Sequence, residues 1–247
     1  MIFFISGNDT NIGKTFVSSL LVNSLSRKYS RIAYIKPIES GISKPSLSDL
    51  AQVKKFNKSL KNVDFFQFET FIEPVAPITA SVIEKVNINC KEIIKQIKKI
   101  DNEYDLVLVE GAGGLRVPIT KDIEIIDLIK SLKAKVILVV TPFLGTLNHT
   151  LMSVDTLKHR KIDLEGIIIN FYPKNPNISE LHNPILINEK KIKILGVVPR
   201  MTEISLKSGK VSAKSFFSSR LGGQFSSINF LKECKYKFKL IIKKYAN

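Results

Sequence analysis

The nine residues Gly7–Thr15, GNDTNIGKT, are of the types that bind a nucleotide's phosphates. Glycines at Gly7 and Gly13 let the backbone turn its N–H groups towards phosphate oxygens, and a following helix adds the positive end of its dipole. Lys14 is placed to reach the β and γ phosphates, and Thr15 offers a hydroxyl to magnesium. Five residues separate Gly7 from Gly13, one more than the usual loop has. Such a loop needs a carboxylate for its metal, and Glu110 is the first candidate. The run behind it, Gly111, Ala112, Gly113 and Gly114, lets backbone approach a second substrate closely. Lys36, in the segment KPIESG, would converge with Lys14 on phosphate. Asp49 reads either as a helix-capping residue or as a metal ligand.

These side chains meet only if the elements that carry them end at one edge. Ile2–Ile5 is a short apolar strand, and from Lys14 to Arg27 the residues Val17, Leu20, Leu21, Ser24 and Leu25 recur at helical spacing. A second strand, Arg31–Lys36, is expected to end at Pro37. Strand, glycine loop, helix and strand within about 36 residues match a parallel βαβ crossover. Runs at Leu106–Val109, Val136–Thr141, Ile167–Asn170 and Ile194–Val198 predict further strands buried on both faces. Helical spacing at 89–103, 123–132 and 147–158 separates them. The alternation predicts an α/β domain over residues 1–203. It is a single doubly wound, mainly parallel sheet with helices on both faces, of the P-loop NTPase type. Ligands of such sheets bind beyond the carboxyl ends of the strands, where the loop, Lys36 and Glu110 all fall.

The chain has 247 residues, 44% of them hydrophobic and 24% charged, which is ordinary for a globular protein. Its longest apolar runs, such as Val136–Val140, are five residues, against roughly 20 for a membrane span. The N-terminal stretch lacks the basic and apolar regions of an export signal, so a cytoplasmic location is expected. Cys90 and Cys234 stand far apart, and His149, His159 and His182 have no metal-ligand spacing, which argues against a disulfide framework or a zinc site. The formal charge is +16, of which residues 204–247 carry +9, nine lysines and one arginine against Glu233. Lysine predominates, and no aromatic–basic pattern accompanies it, so no nucleic-acid partner is expected. Within that tail Ser205–Ser227, with eight serines, reads as a loop. Ile228, Leu231, Cys234, Phe238, Ile241 and Tyr245 then predict an amphipathic helix docked on the domain or on a partner subunit, a membrane surface being the alternative.

Together, GNDTNIGKT, KPIESG, the Asp49 segment, VEGAGG at Val109–Gly114 and GTLNHT at Gly145–Thr150 resemble dethiobiotin synthetase, the ATP-dependent family of biotin synthesis. The likeness takes in EPVAP at Glu73–Pro77, Asn170 after a buried strand and GVVPRM at Gly196–Met201, and so covers residues 1–203. The five-residue gap in the loop is that family's own form. The resemblance implies that 7,8-diaminopelargonate and CO2 form a carbamate, which ATP phosphorylates to a carbamic–phosphoric anhydride. That anhydride closes to dethiobiotin, and ADP and phosphate leave.

The same resemblance implies roles for particular residues. Thr15, Asp49 and Glu110 would hold Mg2+, and Lys36 and Lys14 would be catalytic. Asn11, Ile12, Gly13, Lys14, Thr15, Phe16, Asp49, Glu110, Gly111, Ala112 and Gly113 would contact ATP. Asn170 and Phe171, with Pro199, Arg200 and Met201, would lie at the nucleotide's base, and Glu203 is a further nucleotide candidate. Thr10, Ser40, Gly114 and Asn148 would face the diamine or carbamate. The family is dimeric, and Gly145–Asn148 would reach the neighbouring subunit's diamine carboxylate. The expected partners are therefore ATP, CO2, 7,8-diaminopelargonate and a second copy, with no nucleic acid and no membrane. Asn11, Ile78 and Phe171 stand where members commonly have Glu, His and an acidic residue.

Two other ATP-using classes share these loops. A partitioning-type switch would carry its signature lysine where Asp9 stands, and glycines in place of Thr10 and Asn11. A cobyrinate-amidase-like synthetase usually brings a glutaminase domain, for which 247 residues leave no room.

Overall fold

A computed structural model describes residues 1–201 and 215–245, with side chains through Lys243. In chain order the elements are β1 (Ile2–Gly7), α1 (Lys14–Leu25), β2 (Ile32–Glu39), α2 (Asp49–Phe56), β3 (Val63–Thr70), α3 (Pro77–Glu84), α4 (Cys90–Asp101) and β4 (Leu106–Gly114). They continue as α5 (Ile125–Leu132), β5 (Lys135–Val140), α6 (Thr146–His159), β6 (Leu164–Tyr172), α7 (Ile178–Glu189), β7 (Ile194–Pro199) and α8 (Ser227–Tyr245). The strands form one sheet in the order β3-β2-β4-β1-β5-β6-β7, every pair parallel. This is the doubly wound architecture expected, with β1 and its glycine loop at the centre.

Strand side chains alternate between the two faces. Phe3, Ile5, Leu106, Leu108, Ile137, Val139 and Ile168 pack with Val17, Leu20 and Leu21 of α1 and Val53 of α2. Phe4, Val107, Val109, Val136, Leu138 and Ile167 pack on the other face, against helices that include α4, α5, α6, α7 and α8. The same alternation extends past the hydrophobic runs. Lys36 follows Ile32 and Tyr34, Glu110 follows Leu106 and Leu108, and Asn170 follows Ile168, which brings all three polar groups to the α1 face at the carboxyl edge.

Some sequence expectations need correction. β2 does not end at Pro37 but runs on to Glu39. Its pairing with β4 stops at Ile35, so Pro37 sits where β3 alone adjoins the strand, and the missing N–H interrupts no ladder in the sheet interior. β3 itself went unread, because its residues are half-buried at an edge and do not form an apolar run. Ile228 is 66% exposed and lies off the docked face of α8, whereas Leu231 and Cys234 are buried. Part of the serine-rich segment, and Glu203 with it, lies outside the described residues, as does the side chain of Tyr245.

The described part of that segment is packed. Phe217 and Leu221 are fully buried on the α1 face, and the Ser24 hydroxyl donates to the Leu221 carbonyl at 2.7 Å. The Val197 N–H donates to the Phe216 carbonyl and the Ser218 N–H to the Leu195 carbonyl, which covers the outer edge of β7. The chain then crosses to the opposite face, where α8 packs on α7 with the rings of His182 and Phe238 stacked 4.3 Å apart. Among the described residues no helix is long and apolar enough to cross a membrane. Phe217→Ala should lower unfolding free energy by about 3–5 kcal/mol in urea titration, with one transition retained. A smaller loss would show that the segment is not part of the cooperative unit.

Candidate active site

The loop between β1 and α1 depends on two close approaches. At Gly7 a Cβ would stand 2.8 Å from the Asp9 carbonyl oxygen, so the loop folds down over the strand end at the closeness a glycine allows. Gly13, at φ +79°, precedes α1, and a Cβ there would meet Asn170 Nδ2 at 2.3 Å. That Asn170 nitrogen donates to the Ile12 carbonyl at 2.8 Å and so ties the loop to β6. Asn170 Oδ1 is buried and has no hydrogen-bond partner among the described residues. Phe171 has φ +58°, and its ring lies against the same glycine.

Glu110 ends the apolar part of β4 with 0% exposure. It accepts hydrogen bonds from Thr15 Oγ1 at 2.9 Å, from Tyr34 OH at 2.8 Å, from Ser18 Oγ, and from Lys36 Nζ at 2.9 Å. Lys36 Nζ, itself 3% exposed, also bonds Asp49 Oδ2 at 2.6 Å and the Gly111 carbonyl at 3.3 Å. Burial pulls the Lys36 ammonium towards lower pKa, but the charges of Glu110 and Asp49 outweigh it and hold the group above its ordinary value. Burial likewise opposes ionisation of Asp49, yet Lys36 beside it, with Thr15 and Lys14, keeps the carboxyl below the usual range. Burial, followed by the charge of Glu110, pushes the Tyr34 phenol well above normal.

Lys14 is buried at the start of α1, and its Nζ donates to the Asp9 carbonyl at 3.3 Å. Its pKa is lowered, first by burial and then by the charge of Lys36. Asp49 opens α2, and the cap is Ser48, whose hydroxyl accepts from the Ala51 N–H. Asp49 is therefore not the capping residue. Glu39, at the end of β2, is raised to about 7 by burial, against the opposing bond from the Asp49 N–H.

These groups surround a cleft of about 470 Å³ that gathers Thr10, Asn11, Gly13, Lys14, Thr15, Lys36, Glu39, Ser40, Asp49, Ala112 and Gly113. Thr10 and Gly114 also border a second cleft of about 510 Å³, between the loop and α6. Pro199, Arg200 and Met201 line a third of about 570 Å³, with Tyr172 and α8. Asn148 is exposed in the first turn of α6 and lines none of these three. Sequence reasoning missed Ser18, Tyr34 and Glu39. The first two had a signal, since Ser18 is one helical turn beyond Thr15 and Tyr34 shares the strand face of Lys36.

Among the described residues no group of three or more His, Cys, Asp and Glu side chains is arranged to hold a metal ion. Mg2+ does not require one, since it takes one or two carboxylates and completes its octahedron with phosphate oxygens and water. The oxygens of Thr15, Asp49 and Glu110 fit that donor set. Gly13→Ala should cost about 1–2 kcal/mol for the left-handed backbone alone and break the Asn170 tie. Calorimetric titration should find ADP binding weakened at least about tenfold, which is about 1.4 kcal/mol, and unchanged affinity would refute this account of the loop.

A family model described as an AAA domain matches residues 2–208. The chain is 36% identical over 234 residues to an ATP-dependent dethiobiotin synthetase of Thermodesulfovibrio yellowstonii, covering 87% of this chain and 95% of that one. It is 35% identical over 206 residues to the Bacillus velezensis synthetase, with 82% and 88% covered. Against the Methanococcus vannielii synthetase it is 39% identical over 170 residues, with 68% and 77% covered. Among solved structures, a ParA family ATPase of Chlorobium tepidum aligns with TM-score 0.54 at 16% identity, over 87% and 89% of the two chains. The septum site-determining protein MinD of Pyrococcus horikoshii, complexed with Mg-ADP, aligns with TM-score 0.54 at 18% identity, over 97% and 96%. At such identities the structures speak for a shared P-loop fold and no further. With its sequence matched to three synthetases over most of their lengths, the chain belongs to the ATP-dependent dethiobiotin synthetase family.

Proposed function

We propose that this chain closes the ureido ring of dethiobiotin from 7,8-diaminopelargonate, CO2 and ATP. The observation that carries the reading is the cleft that brings Lys14 and Thr15 of the glycine loop together with Lys36, Asp49, Ser40 and Gly113. Phosphoryl transfer asks a protein chiefly to position the reactants and to offset charge, and two buried lysines at a phosphate loop do both.

One amine of the diamine adds to CO2 and loses a proton, giving a carbamate. A carbamate oxygen then attacks the γ phosphorus, and ADP departs. The second amine attacks the carbamoyl carbon, the C–O bond to phosphate breaks, and the amine's proton leaves with the phosphate as the ring closes. Thr10 and Ser40, which line the cleft with Lys36, bind the diamine or carbamate, while Gly114 and Asn148 serve its far end. Lys36 donates to the carbamate and the transferring phosphoryl group, and Lys14 to the β and γ phosphates. Asn11, Ile12, Gly13 and Phe16 line the phosphates from the loop and α1, and Gly111, Ala112 and Gly113 from β4. Asn170, whose buried Oδ1 has no partner among the described residues, accepts from the base's amino group, with Phe171, Pro199, Arg200 and Met201 around that base. Mg2+ at Thr15, Asp49 and Glu110 supplies electrostatic neutralisation of the phosphates. The enzyme works in the cytoplasm as a homodimer. The apolar residues Leu144, 91% exposed, and Met152, 62% exposed, beside Gly145–Asn148 support that interface.

The decisive assay is fixation of labelled bicarbonate into an acid-stable product, with diamine, Mg2+ and ATP each omitted in turn. Fixation that needs every component is expected; fixation without diamine or ATP, or none by protein that binds ATP, would reject the reading. Lys36→Gln should reduce turnover about 10²–10³-fold, because a charged donor to the developing phosphoryl charge is lost. Its melting temperature should also fall, since Glu110 then loses its buried cation. Wild-type turnover in that variant would remove Lys36 from the mechanism.

A further inference from the structure

Glu39 is buried at the end of β2, and both its oxygens are engaged. Oε1 accepts the backbone N–H of Asp49 at 2.6 Å, and Oε2 accepts from Gln67 Nε2 at 2.7 Å. Gln67 lies on β3, in register with Lys36. The Asp49 N–H is the first of α2 and has no partner within that helix, so the carboxylate serves it as a cap supplied from the sheet.

The connection that leads from Glu39 to Asp49 is little packed until Ser48, which is buried and caps α2. Residues 43–47 are exposed, and the last backbone bonds to neighbouring chain on the β2 side are those of Gly41 and Ile42 to Glu73 and Phe71. At its other end α2 is fastened to α1, where Asn57 Nδ2 donates to the Ser19 carbonyl at 3.0 Å. The helix is thus tied to α1 behind and to β2 in front, where Glu39 holds the Asp49 backbone and Lys36 holds its carboxylate.

We infer that Glu39, braced by Gln67, is a positioning residue that fixes the start of α2 and thereby holds the Asp49 carboxylate at the Lys36 ammonium and the nucleotide's cation. The inference rests on the reading of Asp49 as a metal ligand. It concerns a residue whose two oxygens are taken by the Asp49 N–H and Gln67, and which acts through the backbone of its neighbour.

Mn2+ is the probe, titrated by electron paramagnetic resonance against the full-length chain saturated with ADP. Glu39→Ala should weaken Mn2+ binding about 10- to 100-fold, the usual effect of removing a group that orients a metal ligand. ADP affinity in the presence of chelator should stay at the wild-type value. Glu39→Gln keeps an oxygen for the Asp49 N–H and should recover most of the affinity. Gln67→Ala, which leaves the core untouched, should show a loss in the same direction and keeps the test open if Glu39→Ala does not fold. The inference is overturned if Asp49→Asn weakens Mn2+ but Glu39→Ala and Gln67→Ala do not, or if Glu39→Gln is as weak as Glu39→Ala. If Asp49→Asn itself binds Mn2+ normally, the metal-ligand reading of Asp49 falls, and the inference with it.

Discussion

A lysine and a glutamate, each removed from water, lie 2.9 Å apart between β2 and β4, and the geometry of the site follows from that pair. Either charge alone at that depth would cost several kcal/mol, so neither can be placed without the other and without further bonds for the remaining valences. Those bonds come from α1 through Thr15 and Ser18, from β2 through Tyr34, and from α2 through Asp49. The pair also stands where the sheet needs it. The β2–β4 ladder ends at Ile35 opposite Val109, and one residue further on Lys36 and Glu110 bridge the two strands by charge instead. The cleft opens where the backbone ladder stops.

The β7 edge of the sheet is held by different means. β7 is an outer strand, and it carries Pro199 at its end. Residues 216–218 bond along its free edge before the chain passes to α8, so the strand is covered rather than left open to pairing. α8 buries Leu231 and Cys234 and turns Lys232, Lys235, Lys239 and Lys243 to solvent. Much of the basic excess of the tail is therefore the wet face of a packed helix.

What could be read from the sequence was whatever one element decides by itself. Gly7, Gly13 and Lys14 have meaning within a single loop, and the buried strands announced themselves as apolar runs. Lys36 and Glu110 were readable because each directly follows such a run. β3 was not, because VDFFQFET is an edge strand whose faces are both half wet, and its aromatic residues neither alternate cleanly nor form a continuous run. Glu39 was hidden for another reason. Its partners are Asp49 and Gln67, 10 and 28 residues away, and nothing in KPIESG shows that the chain returns to meet it. The crossing of the tail from one face to the other was equally invisible, since Phe217 and Leu221 sit among serines and glycines and show no period.

The two lysines of the cleft look interchangeable in sequence but differ in what they still have to give. An ammonium has three donors and no acceptor. Those of Lys36 go to Glu110, Asp49 and the Gly111 carbonyl, so it can turn to an incoming anion only by exchanging one of these partners. Among the described residues Lys14 makes a single long bond, to the Asp9 carbonyl, and burial together with Lys36 disfavours its charged form. A phosphate arriving in the loop would reverse that penalty, because the anion stabilises the form that burial disfavours. Lys14 would therefore gain most from a bound phosphate. Lys36 stays committed to the carboxylates until another group competes for one of them, and this ties the use of the second lysine to the filling of the rest of the cleft.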